Sequence, residues 1–254
     1  MRILRSLCIA FSIYSKIPVP QFQWKDEDMK DMLCFFPWVG GVLGGTLYLW
    51  FWLSDWLELG TMCHTLIGAA IPLLITGGFH VDGFMDTMDA LHSYQPIERK
   101  LEILKDPHIG AFSVIMLAVY GMVFLGAFSE LRSMDLVTAV CAGFFLSRAL
   151  SGIGVVSFKS AKHDGLLFMF ANSAHKTSVL VTLYFQCALA ILFMIKQAGA
   201  AGVWIVTAAL GVFGYYYIKC KKELGGITGD TAGYFVTVCE LGIVVAAAVI
   251  EVLR

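Results

Sequence analysis

The sequence predicts an all-α fold: a polytopic integral membrane helical bundle of about seven spans, preceded by an amphipathic or half-inserted helix. Three observations carry that expectation. Of 254 residues, 58% are hydrophobic and 15% charged, whereas a soluble domain carries roughly a quarter charged residues. Mean hydropathy is +0.76. The apolar residues also gather into runs of about 20, the length of helix that crosses a bilayer. A net charge of −1 and the lack of a basic tract leave no electrostatic case for a nucleic-acid partner. No internal repeat or low-complexity linker divides the chain, so residues 1–254 are read as one domain.

In chain order, MRILRSLCIAFSIYSKIPVP superficially resembles a signal peptide. Its apolar part is short and no small-x-small cleavage site follows, so it reads as a retained helix that stops by Pro18-Val19-Pro20. Spans are expected at 32–53, 60–79, 110–129, 134–156, 177–196, 199–218 and 232–252, the second with a break at Gly77-Gly78. The first holds Gly40/Gly44 and Gly41/Gly45, small-xxx-small pairs that let a second helix come close. The seven cysteines are scattered singly without CxxC or Cys/His spacing, so they read as buried small hydrophobes in a reducing setting. Orientation follows from the cations. Fourteen of the 18 lysines and arginines fall on the side of the N-terminus, against three on the other and Arg148 within a span. The positive-inside rule makes the first side cytoplasmic, and all the long polar loops share it.

The longest polar interval is TGGFHVDGFMDTMDALHSYQPIERKLEILKDPHIGA, residues 76–111. Asp82, Asp86 and Asp89 are spaced i, i+4, i+7, within about 60° of one another on a helix. Three carboxylates this close repel unless neutralised, and hard oxygen ligands suit Mg²⁺. Asp106 is a fourth acid about one hairpin away. The competing reading is a solvated acidic face. Apolar neighbours (Gly83, Phe84, Met85, Met88) and flanking spans favour a metal or phosphate site. His80 and His92 bracket the acids, and His80 is placed to sense or assist the site.

Three further places carry chemistry. In KKELGGITGDTAGYF, residues 221–235, Gly225, Gly226 and Gly229 offer backbone N–H groups for an anion nest, with hydroxyls from Thr228 and Thr231. Asp230 is read either as the N-cap of the last span or as a metal or phosphate residue. Arg148 and Glu240 are ionisable groups inside spans. They form either a structural pair or, for Arg148, a phosphate clamp. Lys159, Lys162, His163, Asp164 and His175 lie in a loop on the same side as the acids. Together these pieces suit phosphoryl or nucleotidyl transfer at a membrane surface, with positioning and electrostatics as the catalytic work.

The segments TGGFHVDGFMDTMDAL (76–91), LEILKDPHIGAF (101–112) and LGGITGDTAG (224–233) resemble the signatures of the cobalamin synthase family, the adenosylcobinamide-GDP ribazoletransferases. KIPVP (16–20), FPWVGGVLGG (36–45) and LSRALSGIG (146–154) fit the same pattern in the same order. Lys16 stands where that family usually has arginine, and Ala90 and Ser113 where glycine is common. The resemblance implies a Mg²⁺-dependent membrane enzyme that joins adenosylcobinamide-GDP to α-ribazole or its 5′-phosphate and releases GMP. It further implies that Asp82, Asp86 and Asp89 hold Mg²⁺ on the diphosphate. Asp106 would act as ligand or base, Asp230 and the Gly225–Gly229 loop would hold the second nucleotide end or a second metal, and Arg148 and Lys105 would meet phosphate. The partners expected are these substrates and membrane lipid, with a homo-oligomer or a complex with other enzymes of the pathway compatible with the sequence.

Two other function classes compete. Membrane phosphotransferases of the CDP-alcohol type also cluster aspartates, but they carry an Asp-Gly-x-x-Ala-Arg run, and here Asp82-Gly83-Phe84-Met85 continues into Asp86-Thr87. An ion or metabolite transporter would show internal repeats and polar groups at mid-membrane depth. Here most polar groups gather at one face.

Overall fold

The computed structural model describes residues 2–161 and 175–254. Lys162, His163 and Asp164 lie outside the described residues. Helix α1 (Arg2–Tyr14) is amphipathic: Ile3 and Leu4 face outward, while Cys8, Ile9, Ala10 and Tyr14 are buried. A short α2 (Asp26–Met29) and a 3-10 turn lead into α3 (Phe36–Trp56), with Pro37 in the first turn, where its missing N–H costs nothing. Then come α4 (Thr61–Thr76), α5 (Phe79–His92), α6 (Ile97–Ile103) and α7 (Ala111–Glu130). The remainder is α8 (Met134–Ser157), α9 (Lys176–Ala198), α10 (Ala200–Leu224) and α11 (Gly229–Leu253).

Among the described residues six segments are long and apolar enough to cross a membrane, and the pair α4 and α5, bent by 92°, makes a seventh if counted as one span. The break comes where the sequence puts it. Gly77 and Gly78 both take left-handed φ (65° and 79°), which side chains with a Cβ adopt poorly, and the helix cannot run through them. The chain beyond turns away as α5.

Helix α8 is buried along almost its whole length and packs against α3, α9, α10 and α11. The α3 contact is close because Gly40 and Gly44 lie directly on the backbone carbonyls of Phe144 and Cys141. Of the two small-residue pairs only this one lies on the backbone of α8, while Gly41 meets the Phe145 side chain. Gly45 has nothing within 4 Å of where a Cβ would stand. The faces of α4, α7 and α9 that point outward carry exposed Leu, Ile, Val and Phe, as expected of surfaces solvated by lipid chains.

Between α8 and α11 the structure forms a charged pair. Arg148 Nη1 donates to Glu240 Oε1, which also accepts from Ser147 Oγ at 3.1 Å, and Nη1 donates to the Phe144 carbonyl at 2.9 Å. Of the two readings of these ionisable residues, the structural pair is the one formed. Their side chains are only 1% and 9% exposed, and partnership inside the bundle is what keeps either charge tolerable there.

Candidate active site

The acidic helix α5 and the start of α11 meet face to face because two glycines permit it. A Cβ on Gly83 would stand 2.6 Å from the carbonyl oxygen of Asp230, and one on Gly233 would stand 3.1 Å from that of His80. The turn of α5 that carries Asp82 and Asp86 therefore lies beside the first turn of α11, with Asp89 about 9 Å further along α5. Asp86, three residues beyond Gly83, is about 60° round the helix from that contact. Asp82 is exposed, while Asp86 and Asp89 are half-buried. The Asp89 carboxylate lies on the Cα of Gly110, the residue that caps the N-terminus of α7, so the positive end of that helix offsets part of its charge.

Asp106 sits exposed in the connection between α6 and α7. Its Oδ1 accepts from the backbone N–H of His108 at 3.0 Å and is 2.6 Å from that residue's Nδ1. These two bonds, the backbone one first, hold the Asp106 carboxyl below the usual carboxylate range. His108 is a residue that pattern reading passed over. The Asp-x-His spacing in KDPHIGA is the signal that would have found it, because it lets a carboxylate fix one ring nitrogen of a neighbouring imidazole. Lys105 is exposed on the same turn.

The glycine-rich loop does something other than form an open nest. Gly225, at a left-handed φ of 72°, closes α10 by donating its N–H to Cys220, and Gly226 donates to the same carbonyl at 3.3 Å. Gly226 lies against the Lys159 carbonyl, where no Cβ fits. Ile227 donates to Lys159 O at 2.9 Å and accepts from Ala161 N at 2.8 Å. Thr228 caps α11 through a reciprocal pair: its N–H donates to Thr231 Oγ1 at 2.8 Å, and Thr231 N donates to Thr228 Oγ1 at 3.2 Å. The N-cap is thus Thr228, not Asp230. A threonine reaches back to its N3 amide, which leaves Asp230 at the second helical position. The Thr228 hydroxyl also donates to Asp230 Oδ2 at 3.4 Å. The amides of Gly225, Gly226, Ile227 and Thr228 and the hydroxyls of Thr228 and Thr231 hold the loop's own shape, which presents Asp230 at the positive end of a 25-residue helix.

A part-buried ion pair ties the two polar segments together. Lys100 of α6 donates to Glu223 of α10 at 2.6 Å, two residues before the glycines, and the lysine side chain is 7% exposed. In the loop after α8, His175 Nδ1 is 3.1 Å from Asp31 Oδ1, on the segment between α2 and α3. His92 Nδ1 bonds the Met88 carbonyl at 2.8 Å, a local helix contact.

His80 is not among the carboxylates. It is 5% exposed, roughly stacked on Tyr14 and Phe36, and neither ring nitrogen has a hydrogen-bond partner among the described residues. As for metal binding, no group of three or more His, Cys, Asp or Glu side chains among the described residues stands in ligating arrangement. Asp82, Asp86 and Asp89 share one face of α5, whose Gly83 touches the Asp230 backbone, and Asp106 lies on the connection between α6 and α7; carboxylates are hard oxygen donors of the type that suits Mg²⁺.

A model of the cobalamin-5-phosphate synthase family matches residues 6–248. The chain is 42% identical over 251 residues to the adenosylcobinamide-GDP ribazoletransferase of Lachnoclostridium phytofermentans, covering 99% of this chain and 96% of that protein. It is 32% identical over 241 residues to a protein of the same name from Clostridium perfringens strain 13, covering 93% and 94%. Its identity to the one from Desulfitobacterium hafniense is 33% over 250 residues, covering 94% of each. No solved structure matches the chain.

Proposed function

Because the chain belongs to the cobalamin-5-phosphate synthase family, we propose that it joins adenosylcobinamide-GDP to α-ribazole or α-ribazole 5′-phosphate. GMP leaves, and adenosylcobalamin or its 5′-phosphate is the product. The observation that carries the reading is the contact of Gly83 with Asp230, which sets the turn of α5 that carries Asp82 and Asp86 beside the first turn of α11. The sequence elements shared with the family are the two sides of that contact.

Mg²⁺ suits carboxylate oxygens by type, and the acids would have to draw together around it, since no three of them stand in ligating arrangement among the described residues. Asp82, Asp86 and Asp230 would hold it, with Asp89 at the rim, and when bound it would neutralise diphosphate charge. The chain's own residues do the rest. The positive end of α11 faces the same side and favours phosphate oxygens. Asp106 fixes the His108 imidazole by one nitrogen, which leaves the other to take the proton from the ribazole hydroxyl as it attacks phosphorus. Lys105 on the same turn supplies positive charge for the phosphates. Lys100 and Glu223 keep the α6 segment and the glycine loop in register. Arg148 serves the fold by pairing with Glu240. The cation count supports the reading that this surface lies on the cytoplasmic side of the bacterial or archaeal cytoplasmic membrane.

The test is GMP release by detergent-purified protein given adenosylcobinamide-GDP and α-ribazole. Turnover that needs both substrates and Mg²⁺ supports the proposal. Turnover that ignores ribazole, or none with folded protein and intact substrates, overturns it and moves CDP-alcohols forward as substrates.

A further inference from the structure

Lys16 is tied twice to the break between α4 and α5. Its backbone N–H donates to the Ile75 carbonyl at 2.7 Å. Its side chain then runs across Gly77, where a Cβ would stand 2.2 Å from Lys16 Cε and 2.9 Å from Cγ. The stem thus fills the space that only a glycine leaves free. The residue is exposed, and its ammonium has no hydrogen-bond or ion-pair partner among the described residues. The break leads straight to the acids, because the Asp82 N–H donates to the Gly78 carbonyl at 2.9 Å, one turn beyond the glycines. Lys16 makes no ion pair with Asp82 all the same, so neutralising the acidic stripe is not what holds it there. A cation fixed by backbone and stem beside acids it does not pair with is free to meet an anion from outside the chain.

We propose that Lys16 holds the guanosine-side phosphate of adenosylcobinamide-GDP, the group that departs as GMP. This rests on the proposed function and adds a substrate-binding residue to it. Direction selects that phosphate. In phosphoryl transfer the entering and leaving oxygens lie roughly in line on opposite sides of phosphorus. Asp106 and His108, which receive the ribazole proton, belong to the loop that meets the far end of α5, where Gly110 touches the Asp89 carboxylate. Lys16 stands at the near end. From Gly78 to Asp89 is about 16 Å of helix, with the acids between. As the ribazole hydroxyl oxygen bonds to the phosphorus that carries the cobinamide, its proton passes to His108. The bond from that phosphorus to the bridging oxygen breaks, and the electron pair stays with the GMP phosphate. Lys16 remains protonated and meets the charge that gathers there, as a compact ammonium does well. A lipid headgroup offers the same phosphate chemistry, so the test is run without one.

The full-length protein is purified in dodecyl maltoside and stripped of phospholipid. Equilibrium dialysis reads GMP binding, and steady-state assays read both substrates. Lys16→Met keeps a stem over Gly77 and removes the charge. It should weaken GMP binding and lower kcat/KM for adenosylcobinamide-GDP about 10–100-fold, with KM for α-ribazole within twofold of wild type. Lys16→Arg should recover most of both losses. Lys25→Met, which removes an exposed cation from the same side of the membrane, should change neither. Should Lys16→Met fail to fold, Lys16→Gln takes its place. Unchanged GMP binding in the uncharged variant, a loss that falls on ribazole KM, or a loss seen only when anionic lipid is added back overturns the proposal. Lys16-dependent GMP binding by a protein that transfers nothing would instead count against the reaction assignment and leave the phosphate site standing.

Discussion

Replacing Gly83 by alanine puts a methyl group where the structure has no room for one. The new Cβ would stand 2.6 Å from the Asp230 carbonyl oxygen and 3.1 Å from its Cα, whereas ordinary contact begins at 3.4 Å. Both obstacles are backbone, so no rotamer change relieves them. Helices α5 and α11 must separate by about 0.8 Å, and Asp82 and Asp86 move with α5 away from Asp230. Displacements near 1 Å in a positioned site cost on the order of 100-fold in rate. Gly83→Ala is therefore expected to lower kcat for GMP release roughly 100-fold, with helix content close to wild type and stability lower by about 1–3 kcal/mol. Gly45→Ala is the control, because nothing lies within 4 Å of its Cβ position. Steady-state assays on both variants decide the matter. A folded Gly83→Ala protein working within twofold of wild type would refute the idea that this contact sets the site.

Two further outcomes follow from the charged groups. Arg148→Met or Glu240→Leu alone leaves one buried charge unpaired, at a cost of about 3–5 kcal/mol, while the double replacement should cost much less than the sum. Unfolding of the four proteins in mixed micelles measures this, and additive losses would show that the pair is not coupled. His108→Ala removes the imidazole bond to Asp106 and leaves the backbone one. Because those bonds lower the Asp106 pKa, they favour the ionised form and are lost as pH falls through the lowered value. The variant's Asp106 pKa therefore rises toward the ordinary carboxylate value, and the acid limb of kcat/KM should shift to higher pH with a lower plateau. An unchanged limb and plateau would remove this pair from the reaction.

Much of the fold is local and so was legible. Spans follow from apolar run length, the break in the second from Gly77-Gly78, and the aspartate stripe from a spacing that only a helix turns into one face. The Gly40/Gly44 seam was visible as a spacing, but nothing in the sequence tells it apart from Gly41/Gly45. That depends on which face α8 occupies. The capping of α11 misled because Thr228 and Asp230 are both good caps, and the geometry of the preceding turn chooses between them. The pairing of Arg148 with Glu240 spans 92 positions and no local pattern encodes it. The glycine loop looked like an anion nest because its neighbours were hidden: the Gly225 and Gly226 amides turn back to Cys220, and the Ile227 amide is taken by Lys159.

On the proposed function, α5 and α11 contribute carboxylates to one metal site. Electron paramagnetic resonance of Mn²⁺, standing in for Mg²⁺ on the purified protein, tests it without substrate. The wild-type protein should bind Mn²⁺ saturably, and Asp86→Asn and Asp230→Asn should each weaken that binding at least tenfold while Asp164→Asn leaves it unchanged. Wild-type affinity in either the Asp86 or the Asp230 variant would contradict a site shared between the two helices.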